Sequence, residues 1–342
     1  MDEMFENWEV SPSLPDMDAE LKQIRRSLNR HNRKIILTSL VLVFVLMLTV
    51  TYVIAPALET LYWAPYTSDY VQQGNDLKWM LEAYTELFHP GKQIQSVYAG
   101  DTGFASYDLT IVRTDTATGE KEYIEGDLTR GTLNLEFAFY EYGLERSFFQ
   151  GNNNLPDEMI SHYRTAATEK LSMLPPFVTV KALVFFPDDL TMEQLQELIF
   201  EYNYDGRNGV TVNWVGVRNA PKDAEHAPFA VGFSAKPNGD LSLLDEQYPE
   251  LGMLHTQADG SQMEEHFKSL LRFSADQLDK GKGIPIVTLT GNYYRDALAY
   301  VEENGVTSYG CLITGTPEGL LTLLEDNVAS TLILTDGWID VS

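Results

Sequence analysis

The chain has 342 residues, 50 acids against 24 bases, and a net charge of −26. A surface this acidic repels nucleic acid and anionic lipid, which excludes direct nucleic-acid binding for the bulk of the molecule. The lone Cys311 excludes an intramolecular disulfide framework and, inside the apolar run YGCLIT, reads as a small buried hydrophobe.

The first segment is MDEMFENWEV, in which Met4, Phe5 and Trp8 stand among Asp2, Glu3, Glu6 and Glu9. At i, i+1 and i+4 these three would meet on one face of a helix. So short a segment cannot bury its own apolar groups, so it stays unfolded or folds against a partner. Leu14, Met17, Leu21, Ile24 and Leu28 follow at spacings of 3, 4, 3 and 4, with Pro15 placed for a first helical turn. Lys22, Arg25, Arg26 and Arg30 lie off this narrow stripe, which continues in phase through His31 to Ile35. A stripe of this kind wants cover from a second copy, another protein's helix or a membrane surface. The basic face equally suits anionic membrane lipid. Two heptads alone do not define a coiled coil.

Residues 35–54, IILTSLVLVFVLMLTVTYVI, hold no charge, Gly or Pro. A helix of twenty residues spans the roughly 30 Å hydrocarbon core of a bilayer, and this one is apolar on every face. Six basic residues and no acid lie between Lys22 and Lys34, whereas Tyr62, Trp63 and Tyr66 follow the span without Lys or Arg. Basic flanks stay cytoplasmic and aromatic rings sit at headgroup level, so the N-terminus is expected inside. Ala55-Pro56-Ala57 resembles a signal-peptide cleavage site. The long apolar run and the long leader with its acidic start favour an uncleaved anchor.

Beyond the span, 75–87 has the pattern of an amphipathic helix stopped by Pro90-Gly91, and 93–98, 105–113 and 121–128 that of strands. The run QGNNNLP at 150–156 has linker composition. Helix is expected at 157–174, strand at 178–186, and a helix opened by the Thr191/Gln194 capping box. Strands at 210–217 and 229–235 follow, then a helix at 262–278 with Met263, Phe267, Leu270 and Leu271 on one face. The chain closes with a helix at 293–303, a strand at 306–314, a helix opened by Thr316-Pro317, and a strand at 331–336. The expected class is a membrane-anchored α+β protein: one transmembrane helix, a small α+β layer and a larger α/β-type C-terminal domain. The expected division is a cytoplasmic segment at 1–34, the span at 35–55, an extracytoplasmic α+β region at 59–150 and the C-terminal domain at 155–342.

The search for chemistry gives little. Asp101-Thr102-Gly103 matches an aspartic-protease triplet but has no second copy and no apolar lead-in, so it reads as a turn. The run from Glu201 to Gly206 copies half of a calcium loop, yet Val212 stands where the closing acid belongs. The six histidines show no metal spacing, His255 and His266 read as surface groups near acids, and Lys280-Gly281-Lys282-Gly283 is no P-loop. No catalytic residue, cofactor or metal is expected, and the chain does not read as an enzyme.

Three stretches carry a family resemblance: LKQIRRSLNRHNRKIILTSLVLVFVLMLTV, then VTVKALVFFPDDLTMEQLQELI with VTVNWVGV, and SYGCLITGTPEGLLTLLEDN. Together they resemble single-span anti-sigma factors of Gram-positive bacteria with sigma-factor-regulator N-terminal and C-terminal modules. The resemblance implies that the cytoplasmic segment holds an extracytoplasmic-function sigma factor inactive under control of the outer domain, with release by partner exchange or by an envelope protein or protease. Many anti-sigma factors carry a zinc-binding His/Cys motif in the cytoplasm, and this chain has no Cys there. The contact would then fall to Met4, Phe5, Trp8, Leu14, Met17, Leu21, Ile24 and Leu28. The other expectation is an envelope structural or ligand-binding protein whose N-terminus is a simple anchor.

Overall fold

The computed structural model describes residues 14–59, 62, 76–136, 157–204, 209–221, 231–235, 246–252, 258–280 and 291–339. Met4, Phe5, Trp8, Trp63, Tyr66, His255 and the expected boundary at 150–156 lie outside them. The chain divides into two compact units, 1–62 and 63–342, taken separately below.

Among its described residues the first unit is one helix, α1 (Leu14–Thr49), continued by a π-helical turn (Val50–Ile54) and α2 (Ala55–Glu59). The stripe and the apolar run share the unbroken α1. Thr38 and Thr49 donate their hydroxyls to the carbonyls of Lys34 and Val45, at 2.8 and 2.9 Å, so neither hydroxyl needs a partner outside the helix. The segment is long and apolar enough to cross a membrane and is compatible with a single-pass anchor.

The second unit begins with α3 (Asp76–Phe88) and a meander of β1 (Lys92–Gly103), β2 (Ser106–Asp115), β3 (Lys121–Thr129) and β4 (Thr132–Leu135). The strands pair in sequence order and antiparallel. A two-residue turn at Arg130 and Gly131, with φ of 51° and 80°, joins β3 to β4, the geometry that suits the twist of a hairpin. Strand β4 has no counterpart in the expected elements, because four residues are too few for alternation to register. Asp101 to Gly103, expected as a turn, instead end β1, with Asp101 paired to Tyr107 and its carboxylate accepting the Gly103 N–H at 2.9 Å, and the turn falls just beyond, at Phe104 and Ala105.

Next come α4 (Asp157–Met173), β5 (Val178–Thr191), α5 (Met192–Ile199), a second π-helical turn (Phe200–Tyr204), β6 (Val210–Val217) and β7 (Val231–Ser234). They are followed by α6 (Gly260–Asp279), α7 (Gly291–Asn304), β8 (Thr307–Gly315), α8 (Pro317–Glu325) and β9 (Thr331–Ile339). Thr191 and Gln194 form the expected capping box, and Thr316 caps α8 through the Gly319 N–H. A second capping box, Asp259 with Gln262, opens α6.

The five strands lie in the order β7-β6-β8-β5-β9, and each neighbouring pair is antiparallel. This corrects the α/β-type expectation for the C-terminal domain: both sheets are antiparallel and the class is α+β. Helices alternating with strands from 157 onward suggested the α/β layout, and the apolar runs ALVFF and YGCLIT carry no alternation to mark an antiparallel sheet, because strands buried on both faces lose it. Here both faces are indeed covered, but without parallel crossovers. Along β5, Val180, Ala182, Val184 and Phe186 join the large core with Met192 and Leu195 of α5, Phe267 and Leu270 of α6, and Leu320 of α8. Leu183 and Phe185 point the other way, to Trp214, Tyr309 and Leu312.

That second face receives α3 and the turn after it. Trp214 donates its indole N–H to the Glu86 carbonyl at 2.7 Å, and Gly91, at φ 72°, sits so close to Leu312 that a Cβ there would stand 2.6 Å from its Cδ2. Cys311 is buried on β8, where burial pushes its thiol pKa up and keeps it inert, as a small hydrophobe would be.

Candidate partner-binding site

Of the residues expected to meet a partner, Leu14, Met17, Leu21, Ile24 and Leu28 fall on α1, and Met4, Phe5 and Trp8 lie outside the described residues. Leu21, Ile24 and Leu28 lie within a wedge of about 60° at 100° per residue, and they are 56, 55 and 55 % exposed. Leu14 and Met17 continue the same spacing on the backbone of α1. Lys22, Arg25, Arg26 and Arg30 are exposed along the same length. An apolar stripe beside basic groups can pair with a complementary helix and hold an acidic rim, but offers nothing to bind a metal or activate a nucleophile.

The 63–342 unit concentrates its polar groups in three buried ties. In the first, the Glu86 carboxylate on α3 accepts the Ser234 N–H of β7 at 3.0 Å and faces His266 Nε2 of α6 at 2.9 Å. The other ring nitrogen, Nδ1, lies 2.7 Å from the Glu250 carbonyl. With an acceptor at each nitrogen, filling both bonds takes one proton more than a neutral imidazole beside a carboxylate carries. His266 is therefore an interior group, which corrects its expected surface position. Its partner stands 180 residues away, so no local pattern marks it. In α3, Lys78, Glu82, Thr85 and Glu86 stand at i, i+4, i+7 and i+8 on the polar stripe of the expected amphipathic helix, yet Glu82, Thr85 and Glu86 are buried, so the stripe faces the interior. Glu82, Glu86, Lys92, Gln93, Ile94 and Ser234 line a small cleft with room for about one water molecule.

The second tie joins the two sheets. Lys181 of β5 donates to Asp115 of β2 at 2.7 Å, Lys92 lies 3.4 Å from the same oxygen, and the Ala117 and Thr118 N–H groups reach the other. Burial opposes ionisation of Asp115 most strongly. The bond and charge of Lys181, the Ala117 N–H and Lys92 together outweigh it, leaving the carboxyl below its usual range. The third tie is Arg218, buried at the end of β6, which forks onto Asp189 and stacks 5.6 Å above the Tyr309 ring. Burial drives the Tyr309 hydroxyl pKa upward against the pull of Arg218, so Tyr309 stays neutral. Each tie crosses between elements far apart in sequence. Among the described residues no group of three His, Cys, Asp or Glu side chains is set to hold a metal ion.

Residues 171–332, from the last turn of α4 to the start of β9, match the family model described as sigma factor regulator C-terminal. The matched span includes all of β5 to β8 and α5 to α8, the large sheet with the helices on its main core. The match supports a role in regulating sigma factors, with a sigma factor as partner. No curated protein and no solved structure matches the chain.

Proposed function

We propose that this chain is a membrane-anchored anti-sigma factor of the single-span type known from Gram-positive bacteria, with both sigma-factor-regulator modules. The N-terminal segment through Leu28 sequesters an extracytoplasmic-function sigma factor in the cytoplasm. Residues 35–54 anchor the chain in the cell membrane, and the 63–342 unit stands outside and controls release. No catalysis is assigned to it. The observation that carries the reading is the match of 171–332 to a sigma-factor-regulator family in a chain whose other end is an exposed apolar stripe joined to an anchor.

A pull-down with residues 1–34 as bait, read by mass spectrometry, tests it. Recovery of a sigma factor is expected, with loss on Phe5→Ala plus Trp8→Ala, which together remove apolar anchors worth roughly 2–4 kcal/mol. Normal repression in cells by that double variant would remove Phe5 and Trp8 from the contact. Recovery of no sigma factor would move the function to the 63–342 unit and favour an envelope structural or ligand-binding protein. Tyr98 and Tyr123, exposed on the outer face of the meander, are the groups to assay first in that event.

A further inference from the structure

The unbroken α1 turns the stripe into something longer than two heptads. Taking Leu14 as position a, the a positions are Leu14, Leu21, Leu28, Ile35 and Leu42, and the d positions are Met17, Ile24, His31, Thr38 and Val45. The seam crosses from the charged segment into the apolar one without a change of phase, which a single continuous helix permits and a loop at residue 34 would have prevented. Thr38 does not spoil it, since its hydroxyl is already spent on Lys34.

The flanks say what covers the seam. Positions g are Glu20, Ser27 and Lys34, and positions e are Asp18, Arg25 and Asn32. In a parallel pair, g of one helix faces e of the next heptad on the other. Glu20 then meets Arg25 of a second copy with opposite sign, Ser27 meets Asn32 as two hydrogen-bonding groups, and Lys34 meets the neutral Ser39. No like charges face each other. The remaining bases, Lys22, Arg26, Arg30 and Arg33, fall at b, c and f, away from the seam. Two copies of one chain inserted by the same segment share an orientation, so parallel is the arrangement open to them.

We infer that α1 pairs with α1 of a second copy of this chain, as a parallel left-handed coiled coil running from Leu14 into the apolar segment. This pairing goes beyond the proposed function and stands without a sigma factor. If that function holds as well, the second copy and the sigma factor compete for Leu14–Leu28.

The test uses the full chain in membranes, carrying Cys311→Ala and one new cysteine at a time, with two differently tagged copies co-expressed. Oxidative cross-linking is expected to peak for Leu21→Cys, Ile24→Cys and Leu28→Cys, and to fall several-fold for Lys22→Cys, Arg26→Cys and Arg30→Cys. In the chain carrying Ile24→Cys, Glu20→Arg should cut the cross-linked dimer several-fold, and adding Arg25→Glu should restore it. A flat profile, a peak on the basic face, or a double variant as weak as the single would overturn the pairing. The same variants go through the sigma-factor pull-down. Cross-linking kept while capture is lost discards only the sigma contact; the reverse discards only the pairing.

Discussion

Two helices in this molecule match sequence to surroundings in opposite ways. The part of α1 at 35–54 has no charged group, and Leu40 to Met47 are all exposed. Helix α3 is amphipathic, with Lys78, Glu82, Thr85 and Glu86 on one stripe, yet it is covered on both faces: Leu77, Leu81, Leu87 and Phe88 are buried to within 1 %, and so are Glu82 and Thr85. What separates them is length and the treatment of charge. The twenty-residue run matches a bilayer and carries nothing that would need a partner there. The thirteen residues of α3 cannot span one, and they include Glu82 and Glu86, carboxyls that a lipid phase would not accept but a protein interior can pair. Lys78 lies 3.6 Å from Glu82, and His266 lies 2.9 Å from Glu86. A helix with no charge suits lipid, whereas a charged stripe needs water or, as in α3, buried partners.

Truncating the two helices alike should separate them most. Leu81→Ala opens a cavity in the body and should cost about 3–5 kcal/mol in a thermal or denaturant melt of the 63–342 unit. Leu42→Ala in the full chain should leave the melt of that unit unchanged, and an equal loss from both would erase the contrast. The Asp115 tie comes next. Lys181→Met strands a buried carboxylate and should cost about 3 kcal/mol at neutral pH.

Acid gives the sign of the same contribution. Since the Asp115 carboxyl is held below its unfolded value of 3.8, its stabilisation is complete above the ordinary carboxylate range. It is lost as the pH falls through the lowered value. The wild type should lose stability over that acidic window, and Lys181→Met should lose less. A parallel decline in both would detach Asp115 from Lys181. At the small end, Asp259→Ala removes a cap from α6 and should cost about 1 kcal/mol by the same melt.

The fold was largely legible in local chemistry. The breakers Pro90-Gly91, the Thr191/Gln194 box and Thr316-Pro317 mark true element ends, because a cap or a breaker acts within one turn. The direction of the strands in the large sheet was not legible. Burial of β5 and β8 on both faces erases the alternation that distinguishes an antiparallel sheet, and pairing order depends on contacts no short window contains. For the site, the spacing of Leu21, Ile24 and Leu28 gave the stripe and its continuation in phase to Ile35, and the structure has it on one unbroken helix with the apolar run. The partnership of Glu86 with His266 was out of reach, because a buried contact between side chains is an agreement between distant segments.

The burial of α3 also bears on the order in which the chain is made. Its Glu86 is secured by Trp214, Ser234 and His266, which lie 128, 148 and 180 residues downstream. A nascent chain has synthesised α3, and the meander whose β1 packs on it, long before any of these groups exist, so the side of the helix that meets β7 and α6 waits uncovered. Until α6 is complete the body cannot close around it. A chain cut or stalled before α6 leaves Leu81, Leu87 and Phe88 open to chaperones and proteases, so only a finished body hides this helix from surveillance.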